Sequence, residues 1–368
     1  MATLVIYRKY RPQNFSEVIG QEHVVKTLTN AISSDQISHA YLFDGPRGTG
    51  KTSLARLMAK SLNCLNRKEG EFEPCNTCTS CKEIMEGRSM DLIEIDAASH
   101  RGIDDIRELR DGIRFTPSSS KYKIFIIDEC HQLSKEAANA LLKTLEEPPS
   151  HAVFILATTE IHKMIPTIIS RCQRFDFRRL TVNEIVRRLE IIASKEHVKI
   201  EKPALELIAL NSGGSIRDAE SLIGQIAVLG EGKEIKAEQV KDLLGLVEIN
   251  LVSKFVDYLS ERKVSETLGF LNEINESGYD LKEFAKALIN YLRQILILKV
   301  TTGSSGSLVI GFTKEEFEHL KKQAELLKEE EILNLVNLFL DAENKMRYSS
   351  IPQLPLELAV IEAIGSKE

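Results

Sequence analysis

A glycine-rich run between two apolar segments constrains this chain more than any other feature. Residues 45–52 read Gly-Pro-Arg-Gly-Thr-Gly-Lys-Thr. Residues 41–43 before the run are strand-like, and after it apolar residues recur at helical spacing from Leu54 to Leu62. A strand, a glycine-rich turn and a helix in this order form a phosphate-binding loop, because backbone N–H groups and the positive end of the helix dipole surround phosphate oxygens.

This loop predicts binding of ATP together with Mg²⁺. Lys51 is expected to reach the terminal phosphates, and Thr52 is expected to ligate Mg²⁺. The loop residues predicted to contact the nucleotide are Gly45, Pro46, Arg47, Gly48, Thr49, Gly50, Lys51, Thr52 and Ser53.

Two acidic residues follow a second apolar run, at residues 123–127. Such a run is typical of a buried parallel strand, and ligands of open α/β sheets bind at the carboxyl ends of the strands. We therefore predict that Asp128 holds Mg²⁺ through its water shell, together with Thr52. We predict that Glu129 polarises the attacking water.

Polar residues also follow a third apolar run, at residues 152–157. A side chain such as that of Thr159 would lie between the acids and the γ-phosphate, where it could orient water. A threonine that only caps the strand end is the equal alternative. Arg171 and Arg217, taken alone, favour structural roles, although a cation such as Arg217 in the first turn of a helix capped by Ser215 is mildly unfavourable.

Four cysteines in a turn-rich insertion predict a structural Zn²⁺ site. Two C-x2-C steps share a cysteine, and a fourth cysteine lies upstream, which can supply four thiolates to tetrahedral zinc. Disulfides are disfavoured, since the N-terminus lacks the apolar run of a signal peptide and a nucleotide enzyme indicates a reducing cytosol. An iron–sulfur cluster is disfavoured because the extended ferredoxin spacing is absent. The predicted ligands are Cys64, Cys75, Cys78 and Cys81, whereas Cys130 and Cys172 are expected to be small core residues.

The order of these motifs resembles that of AAA+ ATPases of the clamp-loader group, and in particular the gamma/tau subunits of bacterial DNA polymerase III. Further stretches at residues 8–12, 20–23, 91–99 and 141–149 carry the resemblance, which is strong from residue 4 to about residue 245 and weak beyond. The resemblance implies that Thr159 is the first sensor and that Arg217 is the second, in contact with nucleotide. It implies that Arg171 is an arginine finger acting on ATP of a neighbouring subunit. The expected catalytic set is Glu129, Lys51, Arg171, Thr159 and Arg217.

The function that the resemblance implies is an ATP-hydrolysing motor that opens a sliding clamp and loads it onto primed DNA. Expected partners are delta- and delta-prime-type subunits, the clamp, primer–template DNA and further copies of the chain. The expected location is the bacterial cytoplasm, at the replisome and nucleoid, within a polymerase III holoenzyme whose polymerase activity belongs to the complex. The alternatives are a remodelling ATPase or a DExH-type helicase, since residues 128–131 read Asp-Glu-Cys-His. A non-hydrolysing scaffold of the same fold would be expected to lose loop residues that are intact here.

The 368 residues suggest two or three domains. We predict an α/β P-loop AAA+ domain with a parallel sheet at residues 1–179, with the zinc insertion at 64–81. A helical lid is predicted at residues 180–245 and an all-α oligomerisation collar at 246–368. The net charge of −6 argues against a surface coated with nucleic acid, and no segment is apolar enough for a membrane span. Alternating charges at residues 100–114 indicate either a local DNA-facing strip or, more strongly, a solvated helix face.

Overall fold

Five parallel strands form the central sheet of the N-terminal part of the chain, in the order β2-β3-β4-β1-β5. The strands are β1 (Ala40–Asp44), β2 (Leu92–Asp96), β3 (Lys123–Asp128), β4 (Ala152–Thr158) and β5 (Gln173–Asp176). The computed structural model describes residues 5–99, 112–113, 115–228, 234–244, 248–301 and 314–365. It divides into two compact units, Met1–Ile235 and Lys236–Glu368.

Helices cover both faces of the sheet in the first unit. Alternate strand residues enter two apolar clusters: Phe43 and Ile124 pack with Leu54, whereas Phe125 and Phe154 pack on the other face. This two-sided burial explains the almost continuous apolar runs of the central strands. The helices are α1 (Ile6–Lys9), α2 (Glu22–Ser33), α3 (Lys51–Leu62), α4 (Thr79–Glu86), α5 (Lys135–Glu146), α6 (Pro166–Ile169), α7 (Val182–Lys195), α8 (Lys202–Asn211) and α9 (Ile216–Ala227).

Side-chain caps begin several of these helices where the sequence indicates. Thr181 and Glu184 form a capping box at the start of α7. Ser134 caps α5 by accepting from the N–H of Ala137, and Ser215 caps α9 by accepting from the N–H of Asp218. Each cap satisfies an N–H group that has no partner within its helix.

The second unit is helical throughout its described residues. Phe255 lies at the centre of its core, with its ring centroid 5.2 Å from that of Phe284 and 6.1 Å from that of Phe339. The side chains of Leu288 and Leu292 are also buried within this core. The helices are α10 (Ala237–Leu243), α11 (Ile249–Ser260), α12 (Val264–Glu276), α13 (Leu281–Val300), α14 (Lys314–Leu326), α15 (Glu329–Met346) and α16 (Leu354–Gly365).

The predicted fold class is confirmed: a parallel α/β sheet is followed, in the described part of the chain, by helices and no further strand. The predicted domain boundaries at residues 179 and 245 stay predictions. Most of the charged run at residues 100–114 lies outside the described residues, and so does its proposed DNA-facing strip. Among the helices that the structure describes, none combines the length and apolar character needed to cross a bilayer.

A buried carboxylate at the start of β2 holds a loop beside the sheet. Asp91 is 1% exposed and accepts from the N–H groups of Ser118, Ser119 and Ser120 at 2.7, 3.0 and 3.0 Å. Burial alone would raise the pKa of Asp91, but these donors outweigh it and hold the pKa below its usual 3.8.

We expect Asp91→Asn to lower the free energy of unfolding of this unit by about 1–3 kcal/mol at neutral pH, because buried N–H donors lose a charged acceptor. A depressed pKa in the folded state contributes stability above the unfolded-state pKa, and that contribution is lost as the pH falls through the folded-state pKa. The gap between wild type and variant, measured by urea unfolding, should therefore shrink below about pH 4. Asp35→Asn is the control, since Asp35 pairs with Lys121 at the surface. Equal effects of the two changes would contradict the prediction.

Candidate active site and metal centre

The glycine-rich loop follows β1 directly and ends where α3 begins. Gly45, Gly48 and Gly50 have φ angles of 146°, 75° and 101°, a region that other residues rarely adopt. A Cβ on Gly45 would collide with the carbonyl oxygen of Phe177, and one on Gly48 would collide with the side chain of Ser215. Only glycine fits these two positions, so the sequence pattern reflects the close packing of the loop.

Lys51 and Thr52 lie at the start of α3. The Lys51 Nζ donates to the carbonyl oxygens of Gly45 and Pro46 at 2.7 and 2.9 Å, and burial lowers the pKa of this amine. The Thr52 Oγ1 donates to Asp128 Oδ2 at 2.6 Å. The hydroxyl and the carboxylate therefore place two hard oxygen donors side by side, which fits Mg²⁺.

Glu129 turns the chain sharply at the end of β3. Its φ of 48° is left-handed, which costs a non-glycine residue about 1–2 kcal/mol and is typical of functional sites. The Thr159 Oγ1 donates to Glu129 Oε2 at 2.8 Å. Thr159 thus contacts the predicted water-activating carboxylate, whereas its role as a sensor stays a prediction.

One cavity of about 890 Å³, a size typical of small-molecule sites, is lined by Lys51, Thr52, Asp128 and Glu129, whereas Gly45, Pro46 and Thr159 do not line it. The helix α9 closes it: the Ile216 N–H donates to the Gly48 carbonyl at 3.1 Å, and the Arg217 guanidinium lies 4.9 Å from the centre of the Tyr7 ring. Among the predicted site residues, those that line the cavity are Arg47, Gly48, Thr49, Gly50, Lys51, Thr52, Ser53, Asp128, Glu129 and Arg217.

Arg171 does not line the cavity of its own chain. Its Nη2 lies 2.7 Å from Glu146 Oε1 and its Nη1 donates to the Thr167 carbonyl at 2.8 Å, with 34% of the side chain exposed. The cavity therefore contains Arg217 and excludes Arg171, and the trans role of Arg171 stays a prediction.

Sequence reasoning assigned no role to several residues that line the cavity. Tyr7 and Arg11 come from the N-terminal segment, and Arg188 and Glu220 come from α7 and α9. The Arg188 Nε donates to Glu220 Oε1 at 3.0 Å, and its Nη2 donates to the Tyr10 carbonyl. Burial raises the pKa of Glu220 to about 7, although Arg188 opposes the shift. The basic and aromatic residues at positions 7–11 could have indicated Tyr7 and Arg11, whereas the sequence carries no comparable signal for Arg188 and Glu220.

The four cysteines of the insertion converge on one point. Their Sγ atoms all lie within 4.8 Å of one another, and four sulfurs on tetrahedral Zn²⁺ would be roughly 3.8 Å apart. Backbone N–H groups point at the sulfurs: Cys64 Sγ accepts from Cys75 at 3.3 Å, Cys75 Sγ from Cys78 at 3.3 Å, and Cys78 Sγ from Cys81 at 3.4 Å. A disulfide joins only two sulfurs, about 2 Å apart, whereas here four sulfurs converge and Cys75 Sγ is 4.0 Å from Cys81 Sγ, which fits a metal better than a disulfide.

The two other cysteines lie apart from this cluster. Cys130 is buried and donates to the Met164 Sδ at 3.4 Å, and burial raises its pKa well above the usual value. Burial also raises the pKa of Cys172 to about 12. Neither thiol forms a thiolate readily, which agrees with the expectation of core residues rather than nucleophiles.

Three family models match successive parts of the chain. A model described as DNA polymerase III, delta subunit matches residues 20–181. One described as DNA polymerase III clamp loader subunit, ATPase lid domain matches residues 184–232. One described as DNA polymerase III subunits gamma and tau domain III matches residues 235–368.

Curated relatives match over nearly the whole chain. DNA polymerase III subunit tau of Bacillus subtilis is 44% identical over 362 residues, which are 98% of this chain and 63% of that protein. The tau subunit of Escherichia coli is 41% identical over 307 residues, which are 83% of this chain and 47% of that protein. DNA polymerase III subunit gamma of Buchnera aphidicola is 36% identical over 364 residues, which are 98% of this chain and 99% of that protein. The chain belongs to the family of DNA polymerase III gamma and tau subunits.

Proposed function

We propose that this chain is an ATP-hydrolysing motor subunit of a bacterial clamp loader. The observation that carries the proposal is the single cavity shared by the glycine-rich loop, the Thr52–Asp128 pair, Glu129 and Arg217. The Thr159 hydroxyl holds the Glu129 carboxylate beside the predicted phosphate site. A protein that only binds nucleotide would not need such a carboxylate. Family membership supports the same assignment.

The chemistry follows from these positions. The loop N–H groups and Lys51 bind the β- and γ-phosphates, and Lys51 exchanges the carbonyls of Gly45 and Pro46 for phosphate oxygens. Thr52 and Asp128 would hold Mg²⁺, which neutralises charge on the β- and γ-phosphates. Glu129 accepts a proton from water aligned with the γ-phosphate.

ATP binding and hydrolysis are proposed to shift the conformation of an assembled ring. Arg171 of one subunit would stabilise the transition state on ATP held by its neighbour. ATP must bind the loading-competent state more tightly than the other state if it is to open the clamp on primer–template DNA. The proposed partners are delta- and delta-prime-type subunits, the clamp, DNA and other copies of this chain, in the bacterial cytoplasm at the replisome. Polymerase activity would belong to the holoenzyme.

The alternative of a DExH-type helicase is less well supported. Such an enzyme needs a second motor domain with its own sheet, whereas the described residues of Lys236–Glu368 form helices and no strand. A remodelling ATPase shares the site, and only clamp- and DNA-dependent stimulation of hydrolysis separates it from a clamp loader.

The cysteine cluster is proposed to hold one structural Zn²⁺, with no open position for catalysis. We expect one Zn²⁺ per chain in metal analysis of protein purified without added zinc. Cys78→Ser should lose the metal and destabilise the insertion while nucleotide affinity stays within about threefold, because the ligand lies outside the cavity. Cys172→Ser is the control and should keep the metal. Four reactive thiols without stoichiometric metal would overturn this assignment.

Two substitutions within one chain should separate binding from turnover. Lys51→Ala should abolish tight ATP binding, since it removes the charge that faces the terminal phosphates. Glu129→Gln should keep binding and lower kcat about 10²-fold or more, because it removes the general base. Binding of a fluorescent ATP analogue and steady-state hydrolysis are the measurements, with exposed Lys26→Ala as the control. Normal hydrolysis by Glu129→Gln would show that another group activates water.

A mixing experiment should test catalysis between subunits. Arg171→Ala should leave ATP binding by its own chain nearly unchanged and lower stimulated hydrolysis in the assembly by about 10³-fold or more. Arg217→Ala should weaken binding directly, because Arg217 lines its own chain's cavity. Rings that contain both Arg171→Ala and Lys51→Ala chains should recover part of the activity, since one chain supplies an intact loop and the other an intact finger. No recovery at any ratio, in rings shown to contain both chains, would mean that Arg171 acts within its own subunit or is merely structural.

A further inference from the structure

A histidine ring lies behind the carboxylate of Glu129. The His131 side chain is 5% exposed, and both ring nitrogens face polar atoms. Its Nδ1 is 3.0 Å from Thr158 Oγ1 and 3.5 Å from Glu129 Oε2, and its Nε2 is 3.0 Å from Glu160 Oε2. The ring therefore lies beside the predicted water-activating residue and contacts the segment at the end of β4.

We propose that His131 is a positioning residue that fixes Glu129 for hydrolysis, an inference that rests on the proposed ATPase function. Its two strong contacts, to Thr158 and Glu160, flank Thr159 on the chain. Thr159 is the residue whose hydroxyl donates to Glu129 Oε2 at 2.8 Å. Through these two contacts His131 joins the segment 158–160 to the turn 129–131. The contacts thereby set the separation of Glu129 and Thr159.

The hydrogen bonds around the ring form one consistent chain. The Glu160 N–H donates to Thr158 Oγ1 at 3.0 Å, so that oxygen already accepts one bond and its hydroxyl is available to donate to His131 Nδ1. The His131 Nε2–H then donates to the Glu160 carboxylate, which Lys163 Nζ holds from the other side at 2.8 Å. Each ring nitrogen thus has one hydrogen-bond partner, so the ring is fixed in orientation as well as in place, and the Glu129 carboxylate beside Nδ1 accepts from Thr159 instead.

The backbone turn brings His131 into this position. Glu129 is left-handed, and the Gln132 N–H donates to the Glu129 carbonyl at 2.9 Å, which closes a short helical turn. Cys130 points into the core at 3% exposure, so the next side chain returns toward the end of the sheet. The left-handed backbone of Glu129 and the contacts of His131 therefore both fix the position of the Glu129 carboxylate.

A buried histidine that only stabilises the fold predicts a different result from a positioning residue. Loss of a structural residue lowers stability and affects nucleotide affinity and turnover through the folded fraction alone. Loss of a positioning residue lowers kcat in protein that is folded and binds ATP normally, because small misplacement of a reacting group is costly.

The experiment measures kcat, KM and affinity for a fluorescent ATP analogue in the full chain within its assembly. We expect His131→Ala to lower kcat about 10- to 100-fold with affinity within about threefold. His131→Gln should recover part of kcat, since its amide nitrogen can still donate to Glu160. His162→Ala is the matched control: this histidine approaches the other Glu160 oxygen at 3.8 Å, is 71% exposed and should have wild-type turnover.

A second route keeps the test decisive if His131→Ala does not fold. Thr158→Val removes the hydroxyl that faces Nδ1 with little change of shape, and it should also lower kcat with affinity retained. In the double variant Thr158→Val with Thr159→Val, the fold-decrease in kcat should be smaller than the product of the two single fold-decreases. Both substitutions act through Glu129, so their effects are not independent. Wild-type kcat in His131→Gln and Thr158→Val would overturn the inference.

The Lys51→Ala variant separates a failure of the proposed ATPase function from a failure of the role proposed for His131. If the wild-type chain and Lys51→Ala hydrolyse ATP equally, the proposed function fails and the role of His131 fails with it. If Lys51→Ala is inactive and the His131 and Thr158 variants turn over normally, the role of His131 alone is wrong.

Discussion

The alignment of parallel strands at one edge of the sheet is the constraint on which the site depends. Asp44 pairs in register with Thr158, Asp96 pairs with Asp128, and Ile127 pairs with Leu156, so the strand ends agree to within one residue. Because strands buried on both faces are held by apolar contacts on each side, this register is strongly specified. The Thr52–Asp128 and Thr159–Glu129 hydrogen bonds each join segments that leave different strands, and both would be lost by a slip of one residue.

The sequence predicted the centre of this fold better than its edges. The strands β1 and β4 are buried at each position, so their apolar runs were visible. The strands β2 and β5 lie at the sheet edges, where exposed residues such as Glu94 and Arg174 interrupt the pattern. The cysteine set and the glycine-rich loop were predictable because their spacing is local.

The rest of the cavity depends on contacts between distant parts of the chain. The Arg188 side chain reaches the Tyr10 carbonyl across 178 positions, and no periodicity or spacing encodes such a contact. His131 and Thr158 are 27 positions apart and belong to segments that were identified singly, but their pairing requires the sheet order. Residue types were therefore predictable, whereas their partners required the tertiary structure.

Two arginines of the predicted catalytic set are held in different ways. Arg217 lies over the Tyr7 ring inside the cavity, and Arg171 pairs with Glu146 at the surface. An exposed ion pair contributes little to stability, so Arg171 can leave Glu146 at small cost when another anion approaches. Under the proposed function, this contrast agrees with a role of Arg217 at its own nucleotide and of Arg171 at that of a neighbouring subunit.

The hydrogen bond from the Ile216 N–H to the Gly48 carbonyl attaches the first turn of α9 to the phosphate loop. A helix of 12 residues is roughly 18 Å long and nearly rigid. A tilt of about 10° at its first turn therefore moves its far end by roughly 3 Å. If the loop carbonyl of Gly48 moved, the displacement would therefore be larger at the far end of α9 than at the loop, without any contact between a ligand and that end.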